Sequence, residues 1–179
     1  VGVGERTLTF AGFYDEFVDT KHADAFIAEL LALTDWLDVR ALQARYRELI
    51  VNDLAQIGLV DGASGEERVL VAFCLYWWTS FARGYVRELE IRRDLEATGV
   101  RFAMHDLRSR AKRATPFDLL VSGQKGDVKT STYFLYVARS FPLGGDFHIA
   151  RLWQASRQAS RDVVLLKEHA WEAIDGPTR

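Results

Sequence analysis

Apolar positions recur at helical spacing through the first hundred residues, and the period changes after Gly99. Between His22 and Leu33, apolar residues fall at Ala25, Phe26, Leu30 and Leu33, close to a 3.6-residue repeat. Thr34-Asp35 can cap a second helix from about Trp36 to Ile57, with Leu37, Ala41, Ala44, Tyr46, Leu49 and Leu54 outlining its apolar face. Gly58 and the run Asp61-Gly62-Ala63-Ser64-Gly65 mark a break. A long helix is expected from about Glu66 to Ala97, with Gly99 just past its end. Its first half is apolar nearly all round, which predicts burial on more than one side. Its second half carries Arg87, Glu88, Glu90, Arg92, Arg93, Asp94 and Glu96, and reads as largely solvated.

Beyond Gly99 the segments are short. Val100 to Met104 reads as a strand, His105 to Thr115 as a polar, basic loop, and Phe117 to Val121 as a second strand. Ser122-Gly123-Gln124-Lys125-Gly126 reads as a turn, and Asp127 to Thr130 as the start of the returning strand of a hairpin. Ser131 to Ser140 is compatible with helix or strand. Phe147 to Trp153 alternates as a strand does. Val163 to Leu166 is a further strand or the start of a last helix through Ile174. No internal repeat or low-complexity tract is visible. The division expected is a helical N-terminal extension over 1–64 and an α/β core over 65–179.

Composition narrows the function. The chain has 179 residues, 49% of them hydrophobic, enough for a core. With 23 basic and 25 acidic residues the net charge is −2, so any nucleic acid must be met by a local basic patch. A single cysteine, Cys74, excludes an internal disulfide framework and a four-cysteine zinc site. In a buried helix it reads as a small hydrophobe. The most apolar run, Val69 to Phe81, has 13 residues against the roughly 20 needed to cross a bilayer, so no membrane role is expected. The start, Val1-Gly2-Val3-Gly4, has no leader character and reads as part of a longer chain. A cytoplasmic location is the expectation.

The chemistry concentrates in the hairpin. Asp118 and Asp127 lie at the outer ends of its two strands, with the turn about midway between them. Their carboxylates should face each other across the ladder, within about 5 Å. Side chains alternate along a strand, so Lys129 projects from the same face as Asp127. Two close carboxylates repel, and a hard divalent cation such as Mg²⁺ relieves that repulsion while keeping positions for water and phosphate oxygens. A lysine beside it can orient or help deprotonate an attacking water. This is equipment for phosphodiester hydrolysis.

Pro116-Phe117-Asp118 followed by Asp127-Val128-Lys129 resembles the PD-(D/E)xK nuclease superfamily, which has a restriction-endonuclease-like fold. The resemblance implies a mixed sheet flanked by helices, in the order helix, three strands, helix, strand, over roughly residues 66–155. It implies metal binding by Asp118 and Asp127, with the Val128 carbonyl a further ligand, and Lys129 serving the nucleophilic water. The cofactor implied is Mg²⁺, with Mn²⁺ able to substitute. Phe117 separates the proline from Asp118, and the second acid is Asp rather than Glu; both depart from the commonest pattern. Asp19-Thr20-Lys21 also matches acid-x-Lys but lacks the strand and turn around it. Many members place a glutamate on the first core helix. Counting back about ten residues from Gly99 at 1.5 Å per residue reaches Glu88, with Glu90 next.

Arg108, Arg110, Lys112 and Arg113 lead into Asp118, and Lys125 lies in the turn; these are the candidate phosphate-binding residues. Arg101, Arg139, Arg151, Arg157 and Arg161 could extend that surface. His105 is the histidine expected nearest the site; His22, His148 and His169 are scattered and lack metal spacing. Trp77 and Trp78 read as core or interface residues. The function expected is a metal-dependent nuclease acting on DNA. The alternatives are a non-catalytic nuclease-fold module that binds nucleic acid or protein, and a helical assembly protein. A homodimer through Val69–Phe81 fits all three.

Overall fold

The computed structural model describes the chain except residues 4–5, 61–63, 109–114, 116, 131–143, 155–158 and 171–179. Two compact units divide it, Val1–Arg83 and Gly84–Arg179. The boundary falls inside the longest helix, whereas the sequence pattern placed it in the preceding loop.

The first unit is helical. A two-residue pairing of β1 (Gly2–Val3) with β2 (Arg6–Thr7) precedes α1 (Phe10–Tyr14), a π-helical turn at Asp15–Asp19, α2 (Thr20–Ala32), a 3₁₀ turn at Trp36–Asp38 and α3 (Val39–Gln56). Asp35 caps that turn by accepting the Leu37 N–H, as expected from the sequence. The long helix α4 (Gly65–Thr98) starts with a reciprocal cap: Ser64 Oγ accepts the Glu67 N–H and Glu67 Oε2 accepts the Ser64 N–H. Leu42, Tyr46, Ile50 and Leu54 repeat every fourth residue of α3, and Cys74, Trp78 and Ala82 do so on α4; all are buried. Trp78 is the hub, stacked on Tyr46 and Phe81 and edge-on to Phe26.

Two expectations for α4 are corrected. Its first half is not buried all round: Val69, Phe73, Tyr76 and Trp77 are 47–67% exposed, because the Cys74, Trp78 and Ala82 stripe meets the core while Phe73 and Trp77 are covered only in part, by Phe10 and Tyr14. Its second half is not uniformly solvated: Arg87 and Glu88 are buried. The discarded Asp19-Thr20-Lys21 match lies on helical backbone, and Lys21 pairs with Asp53 at 3.3 Å.

The second unit takes the last turns of α4 and a five-stranded mixed sheet, so the chain is α/β as expected. The strands are β3 (Phe102–Met104), β4 (Leu119–Val121), β5 (Gln124–Lys129), β6 (Phe147–Gln154) and β7 (Ala159–Leu166), in that spatial order. β3, β4 and β5 form an antiparallel meander, β6 runs parallel to β5, and β7 returns antiparallel to β6. The region at Val163–Leu166 is therefore strand. Ile91 of α4 joins Leu119, Val128 and Phe147 in the core of this unit.

The hairpin turn is shorter than the sequence suggested. Ser122 and Gly123 both have positive φ, 51° and 81°, the backbone of a two-residue hairpin loop whose twist matches its strands. Gln124, Lys125 and Gly126 already belong to β5. Gly126 is required by close approach: a Cβ there would sit 2.1 Å from the Phe147 ring on β6. Removing the side chain lets that ring lie directly on the strand that carries Asp127. The expected ambiguous segment 131–140 lies outside the described residues.

Candidate metal centre

The two aspartates are placed by the hairpin ladder. The paired register ends at Leu119 and Gly126, so Asp118 and Asp127 are the next residues beyond it on the two strands, and their carboxyl groups interact. Asp118 itself lies just before β4, tied by its N–H to the Gly126 carbonyl at 2.9 Å. Its carboxylate accepts the Val128 N–H at 2.6 Å, taking the place of a main-chain ladder partner. Lys129 Nζ lies 2.6 Å from Asp127 Oδ2, on the same face of β5. The Val128 side chain between them points into the core.

Glu88 reaches this spot from α4. Its carboxylate, the Asp118 carboxylate and the His105 imidazole each offer an atom within 4.8 Å of the others. Glu88 Oε2 and His105 Nε2 are 3.3 Å apart, an ion-pair distance without the alignment of a hydrogen bond. The structure thus brings together Glu88, Asp118, Asp127 and Lys129, the four catalytic candidates of the sequence, and adds His105. Glu90, the second choice on the helix, instead pairs with Arg87 at 2.9 Å.

The electrostatics are those of crowded, buried acids. The Asp118 carboxyl is pushed up to about 7, first by burial, then by the Asp127 carboxyl and the Glu88 charge, with the Val128 N–H pulling the other way. His105 is raised, chiefly by Glu88, against the effect of burial. His148 is lowered, chiefly by burial, with Asp127 opposing.

His148 is a site residue that sequence reasoning did not place. It stands opposite Asp127 in the parallel β5–β6 register, with Nε2 3.9 Å from Asp127 Oδ2. The only signal was its position in an alternating strand, and using it requires knowing that β6 lies parallel beside β5. His105 is therefore not the sole histidine at the site, as the sequence had suggested. Of the phosphate-binding candidates, Arg108 is exposed and Lys125 is exposed with its ammonium 5.7 Å from the Phe117 ring centre. Arg110, Lys112 and Arg113 lie outside the described residues. Asp146 braces the hairpin from below: Oδ2 accepts the Lys125 N–H at 2.7 Å, while its own N–H donates to the Lys125 carbonyl at 2.6 Å.

The donor set suits a divalent cation. Three acids share a partly buried volume, one of them pushed up to about 7 by burial and by the other two, and the buried Glu88 Oε2 has no hydrogen bond. No family model, no curated protein and no solved structure matches the chain. No helix among the described residues is long and apolar enough to cross a membrane.

Proposed function

We propose that the protein is a metal-dependent nuclease that hydrolyses phosphodiester bonds in DNA. The observation that carries this reading is the convergence of Glu88, Asp118 and Asp127 beside the Lys129 ammonium. The element order supports it as well: helix α4, three antiparallel strands, then a strand parallel to the third. The resemblance to the PD-(D/E)xK superfamily implies this order with a further helix between the third and fourth strands, a segment that lies outside the described residues, and the reading assigns the α/β unit to a restriction-endonuclease-like core.

Asp118 and Asp127 would hold the cation, Mg²⁺ or Mn²⁺, with Glu88 beside them and the Val128 carbonyl a main-chain candidate. Bound there, it would supply charge stabilisation for the phosphate in the transition state. Asp118 is oriented by the Val128 N–H, so its carboxylate needs little reorganisation. Asp127 keeps Lys129 on the site face, where the ammonium can orient the attacking water and steady the developing negative charge. Arg108 and Lys125 are the described cations that would meet the DNA backbone.

The test is incubation with supercoiled, linear and single-stranded DNA in Mg²⁺, Mn²⁺ or EDTA, beside Asp127→Ala and Lys129→Ala. Metal-dependent cutting lost in both variants is expected. No cutting by folded protein would favour a non-catalytic nucleic-acid-binding module. A second reading, self-association through the Val69–Phe81 face, is favoured by the exposure of Phe73, Tyr76 and Trp77. Its test is the mass in solution of wild type against Trp77→Glu.

A further inference from the structure

The nuclease reading treats the site as a cage of oxygen donors, but an imidazole also lines it. His105 follows directly on β3 and its side chain is only 4% exposed. Neither ring nitrogen makes a hydrogen bond among the described residues, and neither does Glu88 Oε2, 3.3 Å away. Buried polar atoms are ordinarily satisfied, so an unsatisfied imidazole beside an unsatisfied carboxylate calls for a partner. One ion can take a single nitrogen of the imidazole together with an oxygen from each acid, because one donor atom each from Glu88, His105 and Asp118 lie within 4.8 Å of one another.

We infer that His105 is a metal ligand, and that Glu88, His105 and Asp118 form a mixed nitrogen–oxygen centre selecting a first-row transition-metal ion over Mg²⁺. This rests on the nuclease reading for its biological use, though not for its geometry. Mg²⁺ prefers oxygen donors and keeps its waters, so an imidazole adds little to its binding. Ions from Mn²⁺ onward gain from an imidazole nitrogen, increasingly along the series. The histidine therefore sets metal choice, while the aspartates supply the negative charge that any divalent ion needs.

The second histidine sharpens the assignment. His148 stands beside Asp127, with Nε2 3.9 Å from Oδ2, and does not belong to the Glu88 cluster. It serves as the internal control.

The experiment uses Mn²⁺ itself as probe, on the full chain. Pulsed electron paramagnetic resonance of the Mn²⁺-loaded protein reads nitrogen coupling from a directly bound imidazole. Calorimetry gives Mn²⁺ and Mg²⁺ affinities for wild type, His105→Gln and His148→Gln. Expected are ¹⁴N coupling in wild type and in His148→Gln, its loss in His105→Gln, and a fall in Mn²⁺ affinity of about tenfold or more with a smaller change for Mg²⁺. Bound Mn²⁺ without nitrogen coupling would overturn the inference and leave the nuclease reading standing. Coupling that disappears in His148→Gln instead would also overturn it. Absence of any Mn²⁺ binding would overturn both. If His105→Gln fails to fold, His148→Gln decides the point: coupling that persists there supports the inference, and coupling that is lost there overturns it.

Discussion

The Asp118 carboxylate accepts the main-chain N–H of Val128 at 2.6 Å, so the first acid of the site is fixed by the strand that carries the second. That bond holds Asp118 beside Asp127, where two acids meet in a partly buried volume. Crowding two acids in this way costs stability, a cost that a bound cation would offset in the proposed reading.

Stability should therefore depend on pH in a definite direction. Asp118 ionises at about 7 in the fold against 3.8 ordinarily. Between those values the folded chain holds a proton that the unfolded chain has released, so stability falls as pH rises through the window. Asp118→Asn keeps an oxygen for the Val128 N–H and removes the charge. In EDTA it should match wild type near pH 4 and unfold a few degrees higher at pH 8, on the order of 1 kcal/mol. Saturating Mn²⁺ should raise the wild-type midpoint more than that of the variant. Parallel curves for the two proteins would contradict the account.

Lys129→Ala should lower the cleavage rate by about 10²–10⁴-fold while changing Mn²⁺ affinity less than Asp127→Ala does. Single-turnover rates and calorimetry on the same preparations separate the two effects. A large loss of metal affinity in Lys129→Ala would mean that the lysine holds the site together instead of serving the water.

Gly126→Ala places a methyl where the Phe147 ring now lies, 2.1 Å away. Either the ring or β5 must move, and the expected cost is about 1–3 kcal/mol by urea denaturation. Phe147→Leu in the same chain should recover part of it. Because Asp127 is the next residue, Gly126→Ala should also weaken Mn²⁺ binding, a result that a fold-only role would not produce.

Arg87 is buried, with its guanidinium pairing Glu90 at 2.9 Å and Asp162 of β7 at 2.5 Å. Arg87→Met keeps much of the packing and loses both ion pairs. Since both carboxylates are partly exposed, a loss of about 1–3 kcal/mol is expected, measured by denaturation, with the metal site intact in the protein that remains folded.

The hairpin was legible because its signals are local. Alternation, a glycine turn and two equidistant aspartates are all read within a dozen residues. Glu88 was reachable by arithmetic, since a straight helix has a fixed rise and Gly99 marks its end. The histidines were not, because His105 owes its place to burial against α4 and His148 to a parallel pairing across residues 131–143. The α4 surface misled in both directions for one reason. Composition reports how apolar a helix is, but only its neighbours decide which side is covered. Arg87 and Glu88 are buried because β7 supplies Asp162 to one and His105 approaches the other, neither of which the helix sequence contains.

The central claim is that these acids hold a divalent ion that cuts phosphodiester bonds. Its most direct test is the conversion of supercoiled plasmid to nicked and linear forms as Mn²⁺ or Mg²⁺ is added, for wild type and for Asp118→Asn and Asp127→Asn shown to be folded. The account expects cutting that rises with metal, stops with EDTA and is lost in both variants. Cutting that persists in EDTA or in either variant, or its absence from a wild-type protein that binds Mn²⁺, would contradict it.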